Sequence, residues 1–188
     1  DGNVLAVLPG SRQAEVLHLM PLFVETMKTL QKQHLSLHFV IPAANESRRK
    51  EIESALDEEL TNVHVLNGKS RGAIQVSNAV LLASGTASLE AMLLQKPMVI
   101  AYRMAAISWM ILSKVVRTRY VGLPNILAGR SVVPELLQEE ATSSNLVAAV
   151  NNVLESGSEE QVPEFERLSG EIGGQFSQRC VEALVPII

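Results

Sequence analysis

The sequence predicts an α/β domain built on a doubly wound parallel sheet, and three observations carry that expectation. Short apolar runs alternate with longer segments of helical periodicity, the pattern of βαβ units. The runs are apolar throughout, as expected of strands covered on both faces. At 188 residues, with 47% apolar and 19% charged side chains, the chain can bury the core of one such domain.

Val4–Leu8 is the first strand. After the Pro9-Gly10 break, Pro21 suits the first turn of a helix reaching about Gln33, with Phe23, Met27 and Leu30 on one face. Leu37–Ile41 forms the second strand and Pro42 stops it. Glu46 to Leu60 is a charged surface helix with Ile52, Leu56 and Leu60 on its inner stripe. Val63–Leu66 and Ala79–Ala83 are the third and fourth strands, joined by a short helix around Arg71–Val76. Ala87–Leu94 is helical and leads through Lys96-Pro97 into the fifth strand, Met98–Tyr102. A short strand is expected near Val121. Beyond Gly122 the pattern is mainly helical, with Ser143–Leu154 and about Glu164–Leu184 separated by Ser156-Gly157-Ser158. Residues 143–188 thus form the helical end of a single domain.

Composition narrows the function. A net charge of −4 gives no basic field for nucleic acid. The single cysteine, Cys180, cannot form an internal disulfide, which points to a reducing, cytoplasmic setting, and it reads as inert. No apolar run reaches the ~18–20 residues of a membrane span. His18, His34, His38 and His64 lack metal-ligand spacing, so no metal and no cofactor is implied. The chain starts without Met and enters a strand within four residues, which fits a piece cut at a domain boundary better than a processed terminus.

Ligands of open parallel sheets bind beyond the carboxyl ends of the strands, at helix N-termini. Two loops have that position. In the first, Gly10 permits unusual backbone angles, Ser11 offers a hydroxyl and Arg12 a guanidinium fork for phosphate oxygens. The same residues also read as an ordinary Pro-Gly turn with a surface charge. In the second, Ser84-Gly85-Thr86 opens the helix that carries Glu90. With Thr86 as N-cap, Glu90 lies one turn in, placed to accept both hydroxyls of a ribose or simply to be a solvated acid near a helix start. Tyr102-Arg103 and Leu123-Pro124-Asn125 share this edge of the sheet, where Asn125 could serve a base or a sugar amide, and by composition each reads equally as an ordinary loop.

Three stretches, in this order and spacing, carry a resemblance: Leu8-Pro9-Gly10-Ser11-Arg12-Gln13-Ala14-Glu15-Val16; Ala83-Ser84-Gly85-Thr86-Ala87-Ser88-Leu89-Glu90-Ala91-Met92 continuing to Pro97–Met104; and Leu123–Arg130 with Val133–Glu139. Together they resemble the C-terminal half of the lipid-A-disaccharide synthase family, from about Val4 to Glu140. The resemblance implies a Rossmann-like domain of a GT-B glycosyltransferase. It implies transfer of 2,3-diacylglucosamine from UDP-2,3-diacylglucosamine to lipid X, giving a β-1,6-linked disaccharide 1-phosphate and UDP. It further implies that Glu90 binds ribose, that Ser84, Gly85 and Thr86 face the pyrophosphate, and that Ser11 and Arg12 approach the phosphates from the other loop, with Arg12 a stabiliser of the leaving group. Asn125 would sit near uridine or sugar. The general base and acceptor site would belong to an absent N-terminal domain, leaving this chain alone inactive.

Alternatives are another UDP-sugar GT-B enzyme, such as a 2-epimerase or an N-acetylglucosaminyltransferase, and a non-catalytic nucleotide-binding module. Met104 to Arg119, apolar with Trp109 and then basic, reads either as a core or interdomain helix or as a surface resting peripherally on the inner membrane.

Overall fold

The computed structural model describes residues 2–103 and 120–184, with side chains through Gly173. Met104 to Arg119 and the Cys180 side chain lie outside the described residues.

Among the described residues six parallel strands form the sheet: β1 (Val4–Leu8), β2 (His38–Ala43), β3 (Val63–Asn67), β4 (Ala79–Ala83), β5 (Met98–Tyr102) and β6 (Glu135–Leu137). Their order is β3-β2-β1-β4-β5-β6. The described helices are α1 (Gln13–Gln33), α2 (Glu46–Ala55), α3 (Ser70–Val76), α4 (Thr86–Leu93), α5 (Leu123–Ala128), α6 (Ser143–Glu160) and α7 (Val162–Leu184). Successive strand residues point to opposite faces, and both faces are apolar here. Leu5, Val7, Leu81 and Val99 enter one core with α1, α2 and α6. Ala6, Leu8, Val80, Leu82 and Ile100 enter a second with Ile74, Met92, Phe165 and Leu168 from α3, α4 and α7. Burial on both sides is why β1, β4 and β5 read as unbroken apolar runs.

Three expected boundaries are corrected, each for a local reason. Helix α1 begins at Gln13, so Pro21 lies inside it. Val16, Leu19 and Met20 bury against the sheet, and Pro21 shares the exposed side with Leu17, where water can take the carbonyl that proline leaves unpaired. Pro42 likewise lies inside β2. Ala43 accepts from the Gly68 amide on the β3 side, so Pro42 faces the β1 side, where pairing has already ended at Ala6↔Val40. Gly157 does not break α6. A Cβ there would lie 2.8 Å from that of Pro97, so the glycine lets the helix approach the start of β5.

Two further expectations fail. Helix α2 stops at Ala55, because Asp57 takes the Glu59 amide at 2.9 Å and Lys28 Nζ at 2.8 Å, forming a turn that competes with the helix. Among the described residues no strand forms near Val121, and β6 comes later, at Glu135–Leu137.

The helical end docks through polar contacts as well as Phe165 and Leu168. Gln161 is buried, with Oε1 accepting the Met98 amide at 2.9 Å and Nε2 donating to the Met98 carbonyl at 3.2 Å. Glu164 pairs with Arg167 and, at 2.9 Å, with Arg130 beyond α5. The Arg167 hydrogen bond, then Arg130's charge, holds the Glu164 carboxyl below its ordinary range against the opposing effect of burial. A depressed carboxylate pKa stabilises the fold above the unfolded value and loses that contribution as pH falls through the folded one. The acid limb of a stability–pH curve should therefore flatten in Glu164→Gln, seen as a smaller drop in melting temperature below about pH 4.3.

Candidate nucleotide site

The strand order reverses direction between β1 and β4, whose connections leave for opposite sides and open a crevice at their carboxyl ends. A cavity of about 480 Å³ occupies that crevice. The loop after β1 supplies Gly10, Ser11 and Arg12 to its wall; the loop after β4 supplies Ser84, Gly85 and Thr86; Glu90 comes from α4. Ala44, from the loop after β2, and Ser70, at the start of α3, also line it.

The β1 loop is held by a residue that the sequence reading passed over. Glu15 Oε2 accepts the amides of Ser11 at 2.9 Å and Arg12 at 3.1 Å, while Oε1 accepts Arg12 Nη1 at 2.7 Å. Gly10 makes room for this carboxylate. Its φ is +107°, and a Cβ would fall 2.3 Å from Glu15 Oε2. Arg12 precedes the first helical residue and Glu15 stands three residues later, the spacing of a capping box. That spacing was the available signal. It was missed because the pattern normally begins with Ser or Thr.

At the second loop the helix cap is Gly85, with φ +156° and ψ −163°, and Thr86 is the first helical residue. This replaces the expected Thr86 cap. The Ser88 amide donates to the Gly85 carbonyl at 3.1 Å, while the amides before it, of Thr86 and Ala87, have no acceptor within the helix and suit an anion, and the helix dipole adds about 0.3–1 kcal/mol. The Ser84 hydroxyl donates to the Val121 carbonyl at 3.0 Å, which ties the loop to the segment before α5 and leaves its oxygen only as an acceptor. Ser88 Oγ donates to the Gly85 carbonyl at 2.7 Å. Glu90 is half-buried on the cavity wall, one turn into the helix.

Seven of the ten expected site residues thus meet in one cavity: Gly10, Ser11, Arg12, Ser84, Gly85, Thr86 and Glu90. Tyr102 and Arg103 end β5, outside its wall, Tyr102 half-buried and Arg103 exposed. Asn125 lies in α5, where a loop was expected, and is 1% exposed. Its Oδ1 accepts the amides of Val132 at 2.6 Å and Val133 at 2.9 Å. Its Nδ2 donates to the Val133 carbonyl at 2.9 Å and to Glu135 Oε1 at 2.7 Å. All four of its hydrogen-bonding positions are filled within the protein. Glu135, also unforeseen, accepts the Val121 and Gly122 amides as well. Among the described residues there is no group of three or more His, Cys, Asp or Glu able to hold a metal.

A family model described as lipid-A-disaccharide synthetase matches residues 1–180. The lipid-A-disaccharide synthase of Pseudomonas aeruginosa strain PAO1 is 42% identical over 189 residues, covering all of this chain and 50% of that protein. That of Alcanivorax borkumensis is 38% identical over 191 residues with the same coverage. The chain therefore spans about half the length of the curated relatives it matches. Among solved structures, spinosyn rhamnosyltransferase SpnG complexed with thymidine diphosphate superposes with a TM-score of 0.62 at 15% identity, over 92% of this chain and 42% of that one. The C-terminal CMP-Kdo binding domain of WaaA from Acinetobacter baumannii gives 0.56 at 11% identity, over 89% of both chains. These two likenesses support the fold, a Rossmann-like α/β domain. The chain belongs to the lipid-A-disaccharide synthetase family.

Proposed function

We propose that this chain is the UDP-sugar-binding half of a GT-B glycosyltransferase that moves 2,3-diacylglucosamine from its UDP-linked form to lipid X, releasing UDP. The observation that carries the reading is the convergence of Arg12, the N-terminus of α4 and Glu90 on one cavity at the sheet's switch point. The free amides of α4 and the Arg12 fork suit a diphosphate, and the Glu90 carboxylate suits the two ribose hydroxyls. Charge that develops on the departing UDP is met by Arg12. Tyr102 and Arg103 extend the same edge toward parts of the ligand that leave the cavity, while Asn125 acts through the loop it holds. The other half of the relatives' length supplies the acceptor site and the general base that an inverting transfer requires.

The protein works in the cytoplasm beside the inner membrane, where its acylated substrates reside. Among the described residues no helix is long and apolar enough to cross a membrane. Peripheral contact falls to Met104–Arg119, outside the described residues.

Titration with UDP in the presence of a chelator tests the reading. UDP at 100 times its dissociation constant should stabilise the fold by about 2.7 kcal/mol, without added metal. An equal thermal shift from ADP, or a shift that appears only with a divalent ion, would overturn it. Among the alternatives, a 2-epimerase would convert UDP-N-acetylglucosamine, and a regulatory module would bind without transfer by the full-length enzyme.

A further inference from the structure

The Glu15 carboxylate is seated in the cavity wall by four neighbours at once. Two amides and a guanidinium donate to it, and Gly10 leaves the space that it fills. The side chain of Glu15 is 17% exposed, whereas that of Arg12 is 81% exposed. One member of the pair is thus anchored and the other reaches into solvent at the cavity's rim. A guanidinium presents five donors, and among the described residues only one on Nη1 is engaged. The remaining donors are free for an anion. The Ser11 and Arg12 amides, which at the start of a long helix would themselves attract a phosphate, are already occupied. The two sides of the cavity therefore differ: α4 offers backbone amides, and α1 offers a side chain held in place by a half-buried acid.

We propose that Glu15 is a positioning residue for diphosphate recognition. It fixes one edge of Arg12 so that the other edge faces the phosphates, and it closes the α1 amides to the anion, which directs the diphosphate to α4. This rests on the nucleotide reading above but goes beyond it, because it assigns a role to a residue that need not touch the ligand. A carboxylate this close to a phosphate also repels it, so the net sign is informative. The anchored seat favours orientation over competition, because displacing Glu15 would strand the loop that Gly10 shapes around it.

A double-mutant cycle reads this directly. Affinities for UDP, pyrophosphate and uridine are measured by calorimetry on the full protein and on Glu15→Gln, Arg12→Ala and the double variant. Glutamine keeps the size and can still accept the two amides, but it brings no charge to Arg12. Glu15→Gln should weaken UDP and pyrophosphate by about tenfold and leave uridine unchanged. In the Arg12→Ala background the same change should have no further effect. Tighter pyrophosphate binding in Glu15→Gln would mean that Glu15 competes with the ligand, and overturns the proposal. So would an equal loss with and without Arg12, or an equal loss for uridine, since a merely structural acid gives those results. If wild-type protein binds neither UDP nor pyrophosphate, the nucleotide reading itself fails, an outcome distinct from any of these.

Discussion

Glu90→Ala should bind UDP about 10- to 150-fold more weakly than the parent protein, because charge-assisted hydrogen bonds to the ribose, worth about 1.5–3 kcal/mol, are lost. The residue is half-buried on the cavity wall one turn into α4 and belongs to neither core, so truncation should remove the proposed ligand contact and leave the fold intact. Isothermal titration with two ligands separates the explanations. Pyrophosphate lacks ribose and should bind the variant as it binds the parent. If pyrophosphate weakens as much as UDP, Glu90 supports the Ser84-Gly85-Thr86 loop and the ribose assignment is wrong.

Asn125→Ala should cost about 3–5 kcal/mol of folding stability, near the upper end for a single substitution. The alanine leaves the buried Val133 amide and carbonyl and the half-buried Val132 amide without their partner, and takes one of two donors from Glu135 Oε1. Each unsatisfied buried group costs about 1–3 kcal/mol, reduced where the loop relaxes or water enters. Urea denaturation followed by far-ultraviolet circular dichroism gives the number. A loss below about 1 kcal/mol would mean that the Val132–Glu135 turn holds its shape without the amide. Because Glu135 also binds the Val121 and Gly122 amides, the fault should spread toward the carbonyl that receives Ser84.

The parts of the fold that were legible in the sequence are those whose local chemistry has one reading. Strands β1, β4 and β5 have the expected bounds because a short run of apolar residues between turns fits little besides a doubly covered strand. Pro21, Pro42 and Gly157 misled because each was read as local punctuation, whereas its meaning depends on what lies beside it in space. For Pro42 that is an exhausted ladder, and for Gly157 it is the ring of Pro97. Strand β6 has only three residues and no alternation of its own; it exists because β5 offers an open edge.

The site divides in the same way. Arg12, Gly85 and Glu90 were legible as lining residues because each follows a strand whose end the sequence marks, although both helix starts were misplaced, at Pro21 and at Thr86. Glu15 and Glu135 were not, since an acid that serves backbone amides looks in sequence like any other acid. Asn125 was noticed for its residue type, but its partners within the protein were not foreseen: they come from seven to ten residues away, around a turn that the sequence did not announce.

The side chain of Gln161 behaves toward Met98 as a length of strand would, capping the first residue of β5 with one accepted and one donated bond. That ties the terminal helices to the central sheet at a single backbone amide, whose protection depends on their docking. While α6 and α7 stay docked, the Met98 amide is shielded from solvent deuterium; when they lift, it opens without any strand separating. One amide proton thus reports the closing of the helical end over the sheet, and its exchange rate measures how often that end lets go.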